Sequence, residues 1–398
     1  MNLKVLIVTP YFPPIINGPS LYVYNLVEEL VKKGICISVH TIEFPEETQK
    51  QLNMTRYEVR RFKYVFDPRR TLHDQPISFS YIMQTIKRSD HFDVIHIHDF
   101  PKVSNDILVL TLKKLKPGIP VILTPHGAGS PTPAHKFSSN LYWSIGIPWK
   151  VLRSVDHLIA VSPLQGKLFA KIYGCDKVST ILEAIPPYYF VEEPSIIENG
   201  KLKILFIGRM AQEKGVKVLL YAVHEAKKYL GRNIELRCIG PDYGYLREAQ
   251  RIINELKLNN VAKILGPLPE EEKIKNLDWC DVLVLPSYYE AFGLPLIEAM
   301  ARGKPVIATK TVGGMSLVKH GETGFLVEIG DWLGIAHWLL HLQNDSELKY
   351  QMGRKALKHA RQFSMRRMVE QHIELYRSLC VHASTELIYV SSDNPRIF

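Results

Sequence analysis

The sequence predicts an α/β protein made of two successive doubly wound domains, each on a parallel sheet. Three observations predict it. Short apolar runs such as Val5–Val8, Val121–Thr124 and Val282–Leu285 lack polar alternation, as strands buried on both faces do. These runs alternate with helical stretches that close on Gly or Pro. The rhythm breaks once, over residues 183–200, where Pro and Gly replace periodicity and mark a linker. A length of 398 residues also suits two domains.

Each element has its own justification. Val5–Val8 is the first strand, and the loop from Pro10 to Gly18 leads into a helix over Pro19–Lys33 ended by Gly34. Cys36–Thr41, Asp93–His98, Val121–Thr124 and His157–Val161 continue the first series as buried strands. Ser162 then caps a helix with Pro163 at its first position and Gly174 at its end. The second series runs through Lys203–Ile207, Glu235–Ile239, Ala262–Leu265, Val282–Leu285, Pro305–Ala308 and Gly324–Val327. Helices over 332–344, 346–361 and 365–380 follow, and 381–398 is a tail without an interpretable pattern. The expected domains are therefore 1–190 and 200–364, with 365–398 as a C-terminal helix and tail.

Composition excludes several classes. No stretch approaches the ~18 apolar residues of a membrane helix, and the Val5–Val8 run is too short for a signal-peptide core. Five scattered cysteines without a Cys-x-x-Cys pair argue against a disulfide framework or zinc site and fit a reducing cytoplasm. The net charge is +10, and residues 1–190 hold 22 Lys and Arg against 15 Asp and Glu, or +7 of it. No arginine-rich helix or nucleic-acid motif accompanies this excess, so an anionic acceptor or membrane surface fits better than nucleic acid.

Two segments carry chemistry. Glu290 and Glu298 flank a turn and the start of a helix in Glu290-Ala-Phe-Gly-Leu-Pro-Leu-Ile-Glu298, directly after a strand. Open α/β sheets bind ligands at the carboxyl ends of their strands. One carboxylate there can accept two ribose hydroxyls while the loop holds a second polyol, which suits a nucleotide sugar. The second segment is Gly208-Arg209-Met-Ala-Gln-Glu213-Lys214-Gly215. A glycine after a strand admits a ligand to the backbone, and two cations beside a helix N-terminus suit a diphosphate leaving group.

Together these residues resemble glycosyltransferase family 4, the retaining nucleotide-sugar transferases of GT-B fold. The resemblance covers about residues 3–380 and is strongest at Gly208–Gly215, Pro286–Val306 and His320–Val327. It implies two Rossmann-like domains facing across a cleft, with the C-terminal helix packing back on the first. It further implies that Arg209 and Lys214 hold the donor diphosphate, Glu298 the ribose and Glu290 the transferred sugar. Phe292, Gly293 and Leu294 would surround that sugar and diphosphate, and Leu265 would lie at the nucleobase.

Thr124-Pro-His126-Gly127 matches the family's active-site histidine segment, which makes His126 a catalytic candidate together with Glu290, Arg209 and Lys214. Gly18 resembles the glycine of a loop that reaches the donor phosphates. The chain departs from the family pattern at Gly18-Pro19, at Tyr22, where a His is frequent, and at Glu183-Ala-Ile-Pro186 in place of Pro-Asn-Gly. His96 and His98 share one strand face beside Asp99. Without an identifiable third ligand they read as core or cleft residues rather than a metal site.

The expected activity is retaining transfer of a hexose-type sugar from a nucleoside-diphosphate sugar to an unidentified hydroxyl acceptor, lipid-linked or oligosaccharide. No Asp-x-Asp occurs in the chain, so no metal or other cofactor is expected. The expected place is the cytoplasm, with peripheral contact to anionic membrane through Arg56, Arg60, Arg61, Lys63, Arg69 and Arg70 and the aromatic segment Leu141–Lys150. The alternatives are a non-catalytic nucleotide-sugar binder and a GT-B sugar-nucleotide epimerase.

Overall fold

A computed structural model describes residues 3–15, 18–43, 56–65, 77–126, 142–195 and 200–392, with side chains to residue 380. Ile16, Asn17, Arg69, Arg70, Gly127 and Leu141 lie outside the described residues. The chain divides into two units, 1–183 with 365–398, and 184–364.

The first unit carries seven parallel strands: β1 (Lys4–Val8), β2 (Cys36–Glu43), β3 (Glu58–Lys63), β4 (Val94–His98), β5 (Val121–Thr124), β6 (His157–Ala160) and β7 (Val178–Thr180). Their order is β3-β2-β1-β4-β5-β6-β7, so the winding reverses between β1 and β4, where Leu6 pairs with Ile95. Leu6, Val8, Ile95, Ile97, Leu123 and Leu158 are fully buried. Ser162 Oγ accepts the Gln165 amide and Gly174 ends the helix Pro163–Tyr173, which is the capping expected.

Two strands escaped the sequence reading, and both are edges. β3 is the strand Glu58-Val-Arg-Arg-Phe-Lys63, half-exposed along its length. Charged residues on an edge strand discourage pairing with another chain, and here they made the strand look like a basic cluster. Arg60 pairs with Glu58 at 2.6 Å, and Arg61 donates to the Pro13 carbonyl at 2.6 Å. β7 has three residues, too few for any periodicity.

The second unit is a six-stranded parallel sheet: β8 (Leu202–Ile207), β9 (Ile234–Ile239), β10 (Ala262–Gly266), β11 (Val282–Leu285), β12 (Val306–Thr309) and β13 (Gly324–Val327). The order β10-β9-β8-β11-β12-β13 reverses between β8 and β11. A register shift between Ile264 and Gly266 sets the exposed Leu265 at a bulge.

The two junctions differ from expectation. The segment after Glu183 is not a free linker. Ile185 donates to the Phe363 carbonyl at 3.2 Å and Val191 to the Ala301 carbonyl at 3.2 Å. Tyr189 is fully buried and donates to Glu270. The tail is not patternless either, since the last helix runs Met365–Ser392, twelve residues beyond the expected end at 380. It contacts the helix Gly18–Lys32 and β4 within the first unit.

Tyr189→Ala removes a buried aromatic and its hydrogen bond, so it should destabilise the second unit by about 3–5 kcal/mol. Urea unfolding of the full chain checks this, because a segment that merely tethers would leave the midpoint unchanged.

Candidate active site

The second unit presents its loops at the carboxyl ends of the strands, around the reversal at β8 and β11, where open parallel sheets bind ligands. Main-chain bonds stitch these loops together. Met210 donates to Pro241 at 2.8 Å, Tyr288 to Glu213 at 2.8 Å and Gly313 to Glu290 at 2.8 Å. Glycines permit that approach. A Cβ on Gly215 (φ +70°) would stand 2.0 Å from the Pro286 oxygen, and one on Gly240 (φ +146°) 1.9 Å from the Gly208 oxygen.

Arg209 follows Gly208 and reaches Glu213 at 3.1 Å while its guanidinium lies over the Tyr243 ring, 4.8 Å from the centroid. Its side chain stays 42% exposed. Lys214 meets Glu290 at 2.7 Å, with each side chain 15% exposed. The structure thus brings together a cation assigned to the diphosphate and the carboxylate assigned to the sugar. Gly293 (φ +102°) opens the helix Leu294–Ala301, with Pro295 in its first turn. Phe292 is buried edge-to-face on Phe363 at 5.9 Å, so its ring packs the unit. Leu294 is half-buried.

Glu298 lies one turn into that helix with its side chain 6% exposed. Its Oε1 accepts Lys273 Nζ at 3.0 Å, whereas its Oε2 is buried without a partner. Lys273 also pairs with Glu270 at 3.0 Å and stands over the Tyr189 ring. Burial opposes the charge on Lys273, but the Glu298 and Glu270 carboxylates outweigh it and hold the ammonium above the ordinary lysine range. Sequence reasoning missed Lys273 because it sits in the charged run Glu270-Glu-Glu-Lys273, which looks like a solvated face.

The first unit places His126 just past β5 in the left-handed region (φ +56°), with its ring turned inward. Its Nδ1 meets Glu183 Oε1 at 3.4 Å and its Nε2 meets His98 Nδ1 at 3.1 Å. Tyr22 stands edge-on to it at 4.8 Å. The Tyr22 hydroxyl reaches His372 Nε2 at 3.2 Å, and His372 Nδ1 donates to the Met368 carbonyl at 2.8 Å. His96 bonds Tyr376 and Thr124, each at 2.7 Å, and Asp99 pairs with Lys102 at 3.7 Å. Among the described residues no group of three or more His, Cys, Asp or Glu side chains is arranged to hold a metal. Gly18 is exposed at the start of its helix, with open space where a Cβ would stand.

Burial pushes His96 and His98 well below the usual histidine range. His372 and His40 are likewise pushed down to about 4, both chiefly by burial. Unfolded histidines titrate near 6.5, so between about 6.5 and 4 the unfolded chain binds protons that the folded chain refuses. The first unit should therefore lose stability as the pH falls through that window. Melting temperatures at pH 7 and pH 5 check the sign, and His372→Gln should flatten the slope.

Two family profiles match the chain, "Glycosyltransferase Family 4" over residues 16–187 and "Glycosyl transferases group 1" over 191–359. The D-inositol 3-phosphate glycosyltransferase of Corynebacterium glutamicum is 32% identical over 404 residues, covering 93% of this chain and 94% of that protein. An uncharacterized glycosyltransferase of Methanocaldococcus jannaschii is 27% identical over 382 residues, covering 95% and 99%. Among solved structures, sucrose-phosphate synthase from Thermosynechococcus elongatus superposes with a TM-score of 0.79 at 20% identity, covering 96% of this chain and 100% of that one. Anabaena HepE, solved with UDP-glucose, gives 0.74 at 19%, covering 94% and 100%. The fold is GT-B, and the chain belongs to glycosyltransferase family 4.

Proposed function

We propose that this glycosyltransferase moves a hexose-type sugar from a nucleoside-diphosphate sugar to an anionic hydroxyl acceptor, retains the anomeric configuration and needs no metal ion. The observation that carries the reading is the set of charges at the β8–β11 reversal. Two cations, Arg209 and Lys214, sit on the loop after β8, and the buried Glu298 keeps one oxygen without a donor. An unsatisfied buried acceptor costs about 1–3 kcal/mol, which a ribose hydroxyl would relieve.

The chemistry follows from those groups. Arg209, Lys214 and loop amides meet the charge that grows on the departing diphosphate, the office a metal fills elsewhere. The leaving phosphate oxygen takes the proton of the acceptor hydroxyl as the new bond forms on the same face. Glu290 and the Gly293–Leu294 backbone hold the transferred sugar, Leu265 borders the base, and His126 is assigned to the sugar's reacting end. UDP-glucose is the first donor to try, because HepE was solved with it. Inositol phosphate is the first acceptor, after the name of the corynebacterial relatives. Cytoplasmic placement belongs to the same reading, since soluble sugar nucleotides are the co-substrate.

Release of free nucleoside diphosphate with and without acceptor, in excess EDTA, tests the class, and NMR of the product's anomeric proton tests retention. Arg209→Ala is the cleanest variant. Its exposed i,i+4 pair is worth roughly 0.5 kcal/mol of stability, yet its loss should lower turnover on the order of 100-fold. Lys214→Ala would also strand the Glu290 carboxylate. In calorimetry with UDP alone, Glu298→Gln should weaken binding and Glu290→Gln should not. Equal losses would refute that division.

We also propose peripheral docking to anionic membrane, but through a different surface from the arginine run, whose Arg60 and Arg61 are engaged at the β3 edge. Trp143 is likewise occupied, edge-on to Phe100 and Trp149. The helix Pro163–Tyr173 instead exposes Leu164, Leu168 and Ile172 at i, i+4 and i+8, beside the exposed Lys167 and Lys171. An apolar stripe edged by cations suits anionic lipid. Among the described residues no helix is long and apolar enough to cross a membrane. Vesicles containing phosphatidylglycerol should co-sediment the protein at low salt and release it at high salt, and Leu168→Glu should abolish the effect. No sedimentation at low salt would reject docking.

A further inference from the structure

We propose that Glu183 is a positioning residue for His126, acting as the carboxylate end of a buried Glu183–His126–His98 relay that holds the His126 ring in a single tautomer. This rests on the assignment of His126 to the reacting sugar. Glu183 lies where the chain departs from the family's Pro-Asn-Gly. That departure puts an anion 3.4 Å from His126 Nδ1, in a side chain only 10% exposed.

Hydrogen-bond bookkeeping selects the tautomer. Glu183 can only accept as a carboxylate, so His126 Nδ1 carries a hydrogen. His126 Nε2 and His98 Nδ1 face each other at 3.1 Å and share one hydrogen. If His126 Nε2 donated it, His98 would take it on Nδ1 and its own hydrogen would sit on Nε2, which is buried without a partner. If His98 Nδ1 donates instead, the same Nε2 is a bare lone pair. Orphaned buried N–H groups are the rarer defect, so His98 is the donor. His126 Nε2 is then filled by the His98 hydrogen and Nδ1 by Glu183, so both nitrogens are committed and the ring is held in one tautomer and one pose.

The neighbours hold the rings in this pose. Tyr22 stands edge-on to His126, and its hydroxyl donates to His372, whose other nitrogen is committed to the Met368 carbonyl. Removing Glu183 deletes the anion that draws the His126 hydrogen to Nδ1. The ring is then free to exchange tautomers against His98 and to turn away from the pose that Glu183 and His98 fix together.

The test uses the full chain with 15N-labelled histidine and the variants Glu183→Ala, Glu183→Gln and His126→Ala. Glu183→Ala should lower kcat by roughly 10- to 100-fold, the scale of a misplaced catalytic group, while donor KM and UDP affinity stay unchanged. Its His126 ring shifts should move from the Nδ1–H pattern toward a mixture. Glu183→Gln offers an amide oxygen to the same hydrogen, so it should keep the pattern and recover most of the turnover. Wild-type turnover in Glu183→Ala with an inactive His126→Ala would overturn the positioning role and leave His126 catalytic. Wild-type turnover in His126→Ala would sink the assignment of His126 itself. Should Glu183→Ala fail to fold, the wild-type spectrum decides, and an Nε2–H signal from His126 would overturn the relay.

Discussion

Close approach of backbone at the carboxyl ends of the second sheet is the constraint on which the candidate site depends. The loops after β8, β9, β11 and β12 touch through carbonyl oxygens that leave no room for a side chain. A Cβ on Gly215, Gly240 or Gly313 would fall within 2.2 Å of the Pro286, Gly208 or Phe292 oxygen. Two of these glycines also adopt positive φ, which other residues reach only with strain. Because the loops close this tightly, Glu290 on one and Lys214 on another come within 2.7 Å.

Charges in that site are paired before any substrate arrives. Lys214 with Glu290 and Lys273 with Glu298 are part-buried pairs, and removing one partner of such a pair strands the other. Arg209 is different, being exposed and held by Glu213 and Tyr243. Its exposed pair can be exchanged at small loss, whereas the part-buried pairs tie neighbouring segments together. The arrangement separates an exposed cation from part-buried ion pairs.

In the first unit, order comes from hydrogen bonds among buried rings and hydroxyls. His96, His98, His126 and His372 interlock with Tyr22, Tyr376 and Thr124 in a buried network. Two of these groups come from the last helix, which follows the second unit in the chain yet belongs to the first. Burial holds His96, His98 and His372 below the usual histidine range, so each of their nitrogens is either a donor or an acceptor and the network selects one arrangement.

How much was legible beforehand depended on range. Buried parallel strands, the Ser162 cap, the Gly174 stop and the Gly208–Gly215 and Glu290–Glu298 segments are local patterns, and the structure places their elements within a few residues of expectation. β3 and β7 were hidden because an edge strand need not be apolar and three residues carry no period. The 183–200 break looked like a tether because its Pro and Gly signals are local, whereas its anchors, Phe363 and Ala301, are remote. The same limit governs the site. Sequence alone determined which residue types stand at the strand ends and hence the family of chemistry. Only the tertiary structure decided which groups they meet: Lys273 for Glu298, 25 residues away, Glu183 for His126, 57 away, and Tyr376 for His96, 280 away. A capping or periodicity signal reports a residue's own turn of chain, while an ion pair or a tautomer is set by whichever groups packing brings within about 3 Å.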